Sequence, residues 1–171
     1  QWTSQISQIC IIVSPDTLSL QGYRDSYYAI AEHVVRLGDH LPNLKRVVFI
    51  SSTGVYGQNA GEVIDINTPV FAPASATSQV ILQTEQLLQQ RFEDESVIIR
   101  PSGIYGASVA RMQKMAASMT SYPNLDWSNR IHIEDLSRFM AEMIHVEHLQ
   151  ESYIVSNGQP QLLHEVVQWF Q

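Results

Sequence analysis

The sequence predicts an α/β fold with a parallel sheet. Two patterns predict it: four short apolar runs rich in β-branched residues, and amphipathic helical stretches between them long enough to cross over. The runs are Ile9 to Val13, Val47 to Ile50, Val97 to Ile99 and Tyr153 to Val155. Their unbroken hydrophobicity reads as strands covered on both faces. After the first strand, Tyr23, Tyr27, Ile30, Val34, Leu37 and Leu41 recur at intervals of three and four, which predicts an amphipathic helix with Arg24, Glu32, Arg36 and Asp39 on its other faces. After the second, Pro73-Ala74-Ser75 leads into a stripe of Val80, Thr84, Leu87 and Arg91, with Ser75 as the expected N-cap. A helix is expected over Val109 to Met119, another over Leu136 to Ile144, and a last one over Leu162 to Phe170. Gly57 to Pro73 and Ser121 to Asn129 have the composition of loops, and the short Gln-rich patches decorate solvent-facing surface.

The chain of 171 residues is 44% hydrophobic and 16% charged, the size and balance of one globular domain spanning residues 1–171. It needs no disulfide to fold, and one cysteine, Cys10, cannot form one internally; this fits a reducing compartment and a cytoplasmic location. Ten basic against 17 acidic residues give a net charge of −7, the wrong sign for nucleic acid or an anionic membrane. No apolar run reaches the roughly 18 residues of a membrane span, and no basic segment followed by an apolar core opens the chain. The chain begins at Gln1 and reaches a strand almost at once, which reads as a cut.

In open parallel sheets ligands bind beyond the carboxyl ends of the strands, so the residues following each strand are the ones to inspect. They are Ser14-Pro15-Asp16 after the first, Ser51 to Gly57 after the second and Arg100 to Gly106 after the third. Small hydroxyl residues and glycines there let a ligand approach the backbone and offer it donors and acceptors. Ordinary turn chemistry explains any one of these segments, but the three together point to a site.

The segments Val47-Val48-Phe49-Ile50-Ser51-Ser52-Thr53-Gly54-Val55-Tyr56-Gly57 and Ile99-Arg100-Pro101-Ser102-Gly103-Ile104-Tyr105-Gly106 carry a resemblance. With Asn129-Arg130-Ile131-His132-Ile133-Glu134-Asp135-Leu136, they resemble, in order and spacing, the NAD-dependent epimerase/dehydratases of the extended short-chain dehydrogenase/reductase superfamily, from about Ile9 to Phe170. The resemblance implies a Rossmann-like domain. It further implies an NAD or NADP cofactor, a nucleotide or nucleotide-sugar ligand, Ser52 as the hydroxyl that orients substrate, and Ser14, Ser51, Pro101, Ser102 and Gly103 along the cofactor.

Two departures shape that expectation. The family's glycine-rich strand-turn-helix, which seats the cofactor pyrophosphate, has no counterpart, because no G-x-G-x-x-G occurs in the chain. If Ile9 to Val13 is the family's fourth strand, roughly 70 residues of its plan lie upstream of Gln1, and NAD(P) binding by this chain alone is weak or absent. The family's Tyr-x-x-x-Lys pair, in which an ammonium lowers a tyrosine pKa for proton transfer, is also missing. The lysines are Lys45 and Lys114, neither four residues after a tyrosine. Counting back from Glu85, which resembles a family glutamate, the pair's positions hold Thr77 and Ile81. The pattern resembles the atypical members of the superfamily, which keep fold and turns without the usual pair.

A Ser/His/Asp hydrolase built from Ser52 or Ser102 with His132 and Asp135 is disfavoured, because the strained Gly-x-Ser-x-Gly elbow is absent and His132 and Asp135 suit a helix start. His145, Glu147 and His148 read as a solvated helix face, so no metal is expected. Met112, Met115 and Met119 read as core filling and Cys10 as buried packing. The expectation is therefore an epimerase/dehydratase-like domain without turnover of its own, the alternative being a non-catalytic nucleotide- or protein-binding module. The missing upstream strands leave the first strand as an edge, which predicts self-association there or a covering N-terminal segment.

Overall fold

The computed structural model of the chain describes residues 3–58, 60–70, 73–119 and 126–169. In chain order they form β1 (Gln8–Ile11), α1 (Leu20–Tyr23), a π-helical stretch (Arg24–Tyr28), α2 (Ala29–Gly38), β2 (Arg46–Ile50) and α3 (Ala76–Phe92). Then come β3 (Ser96–Pro101), β4 (Gly103–Tyr105), α4 (Ala110–Ser118), β5 (Trp127–Ser128), β6 (Arg130–His132), α5 (Ile133–Met143), β7 (Ser152–Val155), β8 (Gln161–Leu162) and α6 (Leu163–Gln168).

The four expected strands make one parallel sheet in the order β1-β2-β3-β7, the Rossmann-like α/β architecture read from the sequence. Period-two alternation divides the central strands between its faces. Val47 and Phe49 with Ile98 turn toward α2 and α3, where Ala31, Leu88 and Phe92 meet them. Val48 with Val97 and Ile99 turns toward α5, where Leu136 and Met143 meet them. Two-sided burial is why these strands read as unbroken apolar runs. A satellite cluster of Met112, Ala116 and Val167 joins α4 to α6, with Met115 and Met119 packed on it as expected. Two small ladders, β4 with β6 and β5 with β8, hold the segments beyond the sheet.

Several expectations need correction. The first strand is not covered on both faces: β1 ends at Ile11, Cys10 is exposed rather than buried, and Ile12 is 68% exposed. The cause is its position at the edge of the sheet, with β2 as its one strand neighbour among the described residues. The helix expected from Tyr23 starts at Leu20, capped by the Ser19 hydroxyl, and widens into a π-helical turn that stacks Tyr23 on Tyr27 at 5.4 Å. Leu41 is buried beyond its end. On α3 the buried face runs through Val80, Ile81, Thr84, Glu85 and Leu88, so Arg91 is not part of it and pairs with Asp39 at 2.6 Å instead. Leu162 belongs to β8 rather than to the last helix. Residues 121–125 of the expected loop, and Phe170, lie outside the described residues.

Capping fixes where the helices begin and end. The Ser75 hydroxyl accepts from Ser78 N at 3.0 Å, the N-cap the sequence predicted for α3. Arg46, at the start of β2, donates to the carbonyls of Met143 (2.7 Å) and Val146 (2.6 Å), which places a cation at the carboxyl end of α5 where the helix dipole favours one.

Candidate functional site

Thr53 follows β2, Ser102 follows β3, and Ile154 and Ser156 lie at the end of β7; all four line one cleft of about 580 Å³. Its volume is that of a small-molecule site, and it sits beyond the carboxyl ends of the strands, where open parallel sheets bind ligands. The loop after Tyr56 supplies Gln58, Glu62 and Val63 to its wall, and the segment around β5 supplies Asp126, Trp127 and Asn129.

Close in sequence to the cleft residues Thr53 and Ser102, a buried polar network forms. Arg100, the one charged residue of β3, donates from Nε (3.0 Å) and Nη2 (2.8 Å) to the two oxygens of the Glu85 carboxylate on α3. Its Nη1 donates to the Tyr56 hydroxyl at 3.0 Å, and its guanidinium lies 5.3 Å from that ring's centre. The Ser51 hydroxyl donates to Glu85 by a short hydrogen bond. Burial works to lower the Arg100 pKa, but the hydrogen bonds and charge of Glu85, aided by Tyr56, outweigh it and hold the pKa above its ordinary value. The network thus joins β3 and the turn that follows β2 to α3.

The proposed site residues fall into distinct roles. Ser102 is 5% exposed and lines the cleft; its backbone N donates to Val155 O, yet its buried Oγ has no hydrogen-bond partner. Ser52 is half-buried, and its Oγ accepts from Gly54 N at 3.0 Å, starting a 3-10 turn. The Ser51 hydroxyl is engaged by Glu85 and Pro101 is buried in β3, its carbonyl facing the Thr53 hydroxyl at 3.4 Å. Gly103 is exposed and its N donates to Asn129 O at 2.9 Å, while Ser14 is exposed beyond β1. Of these residues, Ser102 alone is part of the cleft wall.

The positions expected for a proton-transfer pair are occupied structurally. Thr77 stands in the first turn of α3 with its hydroxyl 3.0 Å from Ser75 Oγ, and Ile81, 5% exposed, is packed in the main core. Neither lines the cleft. His132 is the N-cap of α5: its Nδ1 accepts from Glu134 N at 3.3 Å. That ring stands edge-on to Tyr105 at 5.1 Å, and Asp135 pairs with Arg138 at 3.2 Å, so both residues serve the start of the helix. Gly106 has φ +105°, and a Cβ there would collide with the His132 ring. Among the described residues no three His, Cys, Asp or Glu side chains gather closely enough to hold a metal ion.

Sequence reasoning missed Arg100 as an organiser and Glu62, Asp126 and Trp127 as cleft residues. A charged residue closing a buried apolar strand was the available signal for Arg100; the loop residues carried none.

No protein-family model matches the chain, and a search of curated proteins finds no match. Solved structures do match. One, assigned to the NAD-dependent epimerase/dehydratases, from Methylobacillus flagellatus, is 34% identical, with a TM-score of 0.70 over 88% of this chain and 55% of its own. UDP-glucuronic acid 4-epimerase from Bacillus cereus, solved with NAD and a UDP-sugar, is 17% identical, with a TM-score of 0.77 over 99% of this chain and 60% of its own. dTDP-glucose 4,6-dehydratase from Bacillus anthracis, solved with NAD, is 18% identical, with a TM-score of 0.75 over 97% of this chain and 56% of its own. The chain therefore spans a little over half the length of each.

Proposed function

We propose that the chain, whose fold is shared by solved NAD-dependent epimerase/dehydratases, belongs to the extended short-chain dehydrogenase/reductase superfamily, forms the ligand-facing part of such a domain and carries out no turnover alone. The observation that carries this reading is Ile81. Counted back from Glu85, it falls where the resemblance puts the family's lysine, and it is a core residue that a cation could replace only at the cost of burying charge. Thr77, at the tyrosine's place, has a hydroxyl far too weakly acidic to exchange a proton near neutral pH.

The residues present do not make a complete dinucleotide site. The chain has no glycine-rich turn for the pyrophosphate, the element that would seat a dinucleotide for hydride transfer. What it offers is the cleft wall: Ser102 presents a free hydroxyl, Thr53 and Asn129 flank it, and Ser52 orients the adjoining turn. A relative solved with NAD and a UDP-sugar supports a nucleotide-related ligand for the parent domain. NAD(P)H fluorescence titration and a turnover assay test the reading: binding by this chain is expected to be weak or absent and turnover absent. Tight binding, or turnover abolished by Ser52→Ala, contradicts it.

The non-catalytic alternative draws support from the open edge. β1 has one strand neighbour among the described residues, and Ile12 is exposed beside it, so its outer backbone groups are open to pairing with a further strand, from this polypeptide or from another copy. Sedimentation of the chain shows self-association if the second copy supplies that strand.

A further inference from the structure

The opposite end of the sheet carries a second pocket, and we propose that it binds a small organic anion that also bears a hydroxyl. Gln8 opens β1, Lys45 and Arg46 stand at the start of β2, and His145 and Glu147 follow α5; all five line a space of about 460 Å³. The strand-end cleft lies beyond the carboxyl ends of the sheet, and the two sites share no lining residue.

Charge selects an anion. Lys45 and Arg46 stand against one carboxylate, Glu147, which makes the pocket locally positive on a chain whose net charge is −7. Arg46 donates to the carbonyls of Met143 (2.7 Å) and Val146 (2.6 Å), so its charge is held at the pocket wall while its Nη groups are engaged. Lys45 is exposed and makes no ion pair among the described residues, so its ammonium is open to a ligand. His145 is a hydrogen-bond donor in either charge state.

Gln8 adds a requirement that an anionic group alone does not meet. Its amide donates from Nε2 to Ile144 O at 3.0 Å, which sets the direction of the amide, and its Oε1 is buried without a hydrogen-bond partner. An unpaired buried acceptor costs free energy that a donor restores. Carboxylate and fully ionised phosphate groups only accept, so the donor comes from another part of the ligand, and a hydroxyl supplies it. Ile144 and Val146, both partly exposed on the same wall, give the ligand's carbon skeleton an apolar contact.

The experiment titrates the full chain at constant ionic strength with malate, with succinate, which lacks malate's hydroxyl, and with glycerol 3-phosphate, followed by amide shifts in NMR. Malate is expected to bind saturably with a Kd of about a millimolar, shifting the amides of Gln8, Lys45 and His145 and leaving that of Ser102 in place. Lys45→Gln, which keeps the backbone N–H that donates to Ser7 O, is expected to weaken binding about tenfold. Succinate is expected to bind the parent at least about threefold more weakly than malate does, and to bind Gln8→Met as tightly as malate does. Whichever of malate and glycerol 3-phosphate binds more tightly identifies the anionic group as carboxylate or phosphate. Shifts that do not saturate, shifts that Lys45→Gln leaves unchanged, or equal affinities of malate and succinate for the parent overturn the proposal, and so does the failure of all three probes to move these amides.

Discussion

Glu85 and Arg100 form a bidentate ion pair with both side chains in the interior, the carboxylate 1% and the guanidinium 8% exposed. Removing one partner leaves the other charge buried and alone, which costs about 3–5 kcal/mol. Arg100→Met and Glu85→Gln are each expected to lower the unfolding free energy by that order in chemical denaturation. The Arg100→Met/Glu85→Gln double variant is expected to lose less than the sum of these two single changes, because neither charge is then stranded. Additive losses would show that the pair does not couple α3 to the strand-end turns.

Ile81 is enclosed by the core on α3. An Ile81→Lys change, even combined with Thr77→Tyr to rebuild the proton-transfer pair, is expected to destabilise the fold by roughly 3 kcal/mol or more. A fully stable double variant in thermal melts would mean that this helix face can open to the cleft, contrary to the packing described.

Gly106 and His132 touch at the start of α5, where the glycine backbone has a positive φ. Gly106→Ala is expected to cost about 1–3 kcal/mol through backbone strain and displacement of the capping ring. His132→Ala, which removes the cap alone, is expected to cost about 1 kcal/mol and His132→Asn less, since asparagine caps well. Thermal unfolding of the three variants gives the order.

Tyr27 stacks on Tyr23 and meets Phe49 edge-on, and burial, aided by Tyr23, pushes its pKa above the ordinary value. Cys10 is pushed the same way by desolvation, which Arg46 only partly offsets, although its side chain is exposed at the sheet edge. In both cases the folded state holds its proton more tightly than the unfolded chain. Their contribution to stability is therefore whole below the unfolded values, about 8.5 for cysteine and 10 for tyrosine, and is lost as pH rises through the raised folded values. Melting temperature is expected to fall above about pH 9, and Tyr27→Phe to flatten the part of that fall above about pH 10.

How much of this was legible in the sequence depended on whether a feature repeats. Val47 to Ile50 and Val97 to Ile99 announced central strands because both faces are buried and every residue is apolar. The same signal misled at Cys10, because whether a strand is central or at an edge is decided by its neighbours, not by its own residues. The π-helical turn at Arg24–Tyr28 left no trace, since one widened turn hardly disturbs a spacing of three and four. Ser102 was found by its place after a strand, whereas Glu62 and Trp127 sit in segments without period and meet only through the fold. Glu85 and Arg100 are 15 residues apart on different elements, and pairing them needs the packing of α3 on β3.

The central claim, that the strand ends present a polar group to a ligand instead of to the protein, is tested most directly by the unfolding free energy of Ser102→Ala without ligand. The orphaned hydroxyl makes no internal bond, so the account predicts stability equal to the parent or up to about 1 kcal/mol higher. A loss of about 1 kcal/mol or more would show that this oxygen is bonded within the fold, and the cleft would lose the group that marks it as a site.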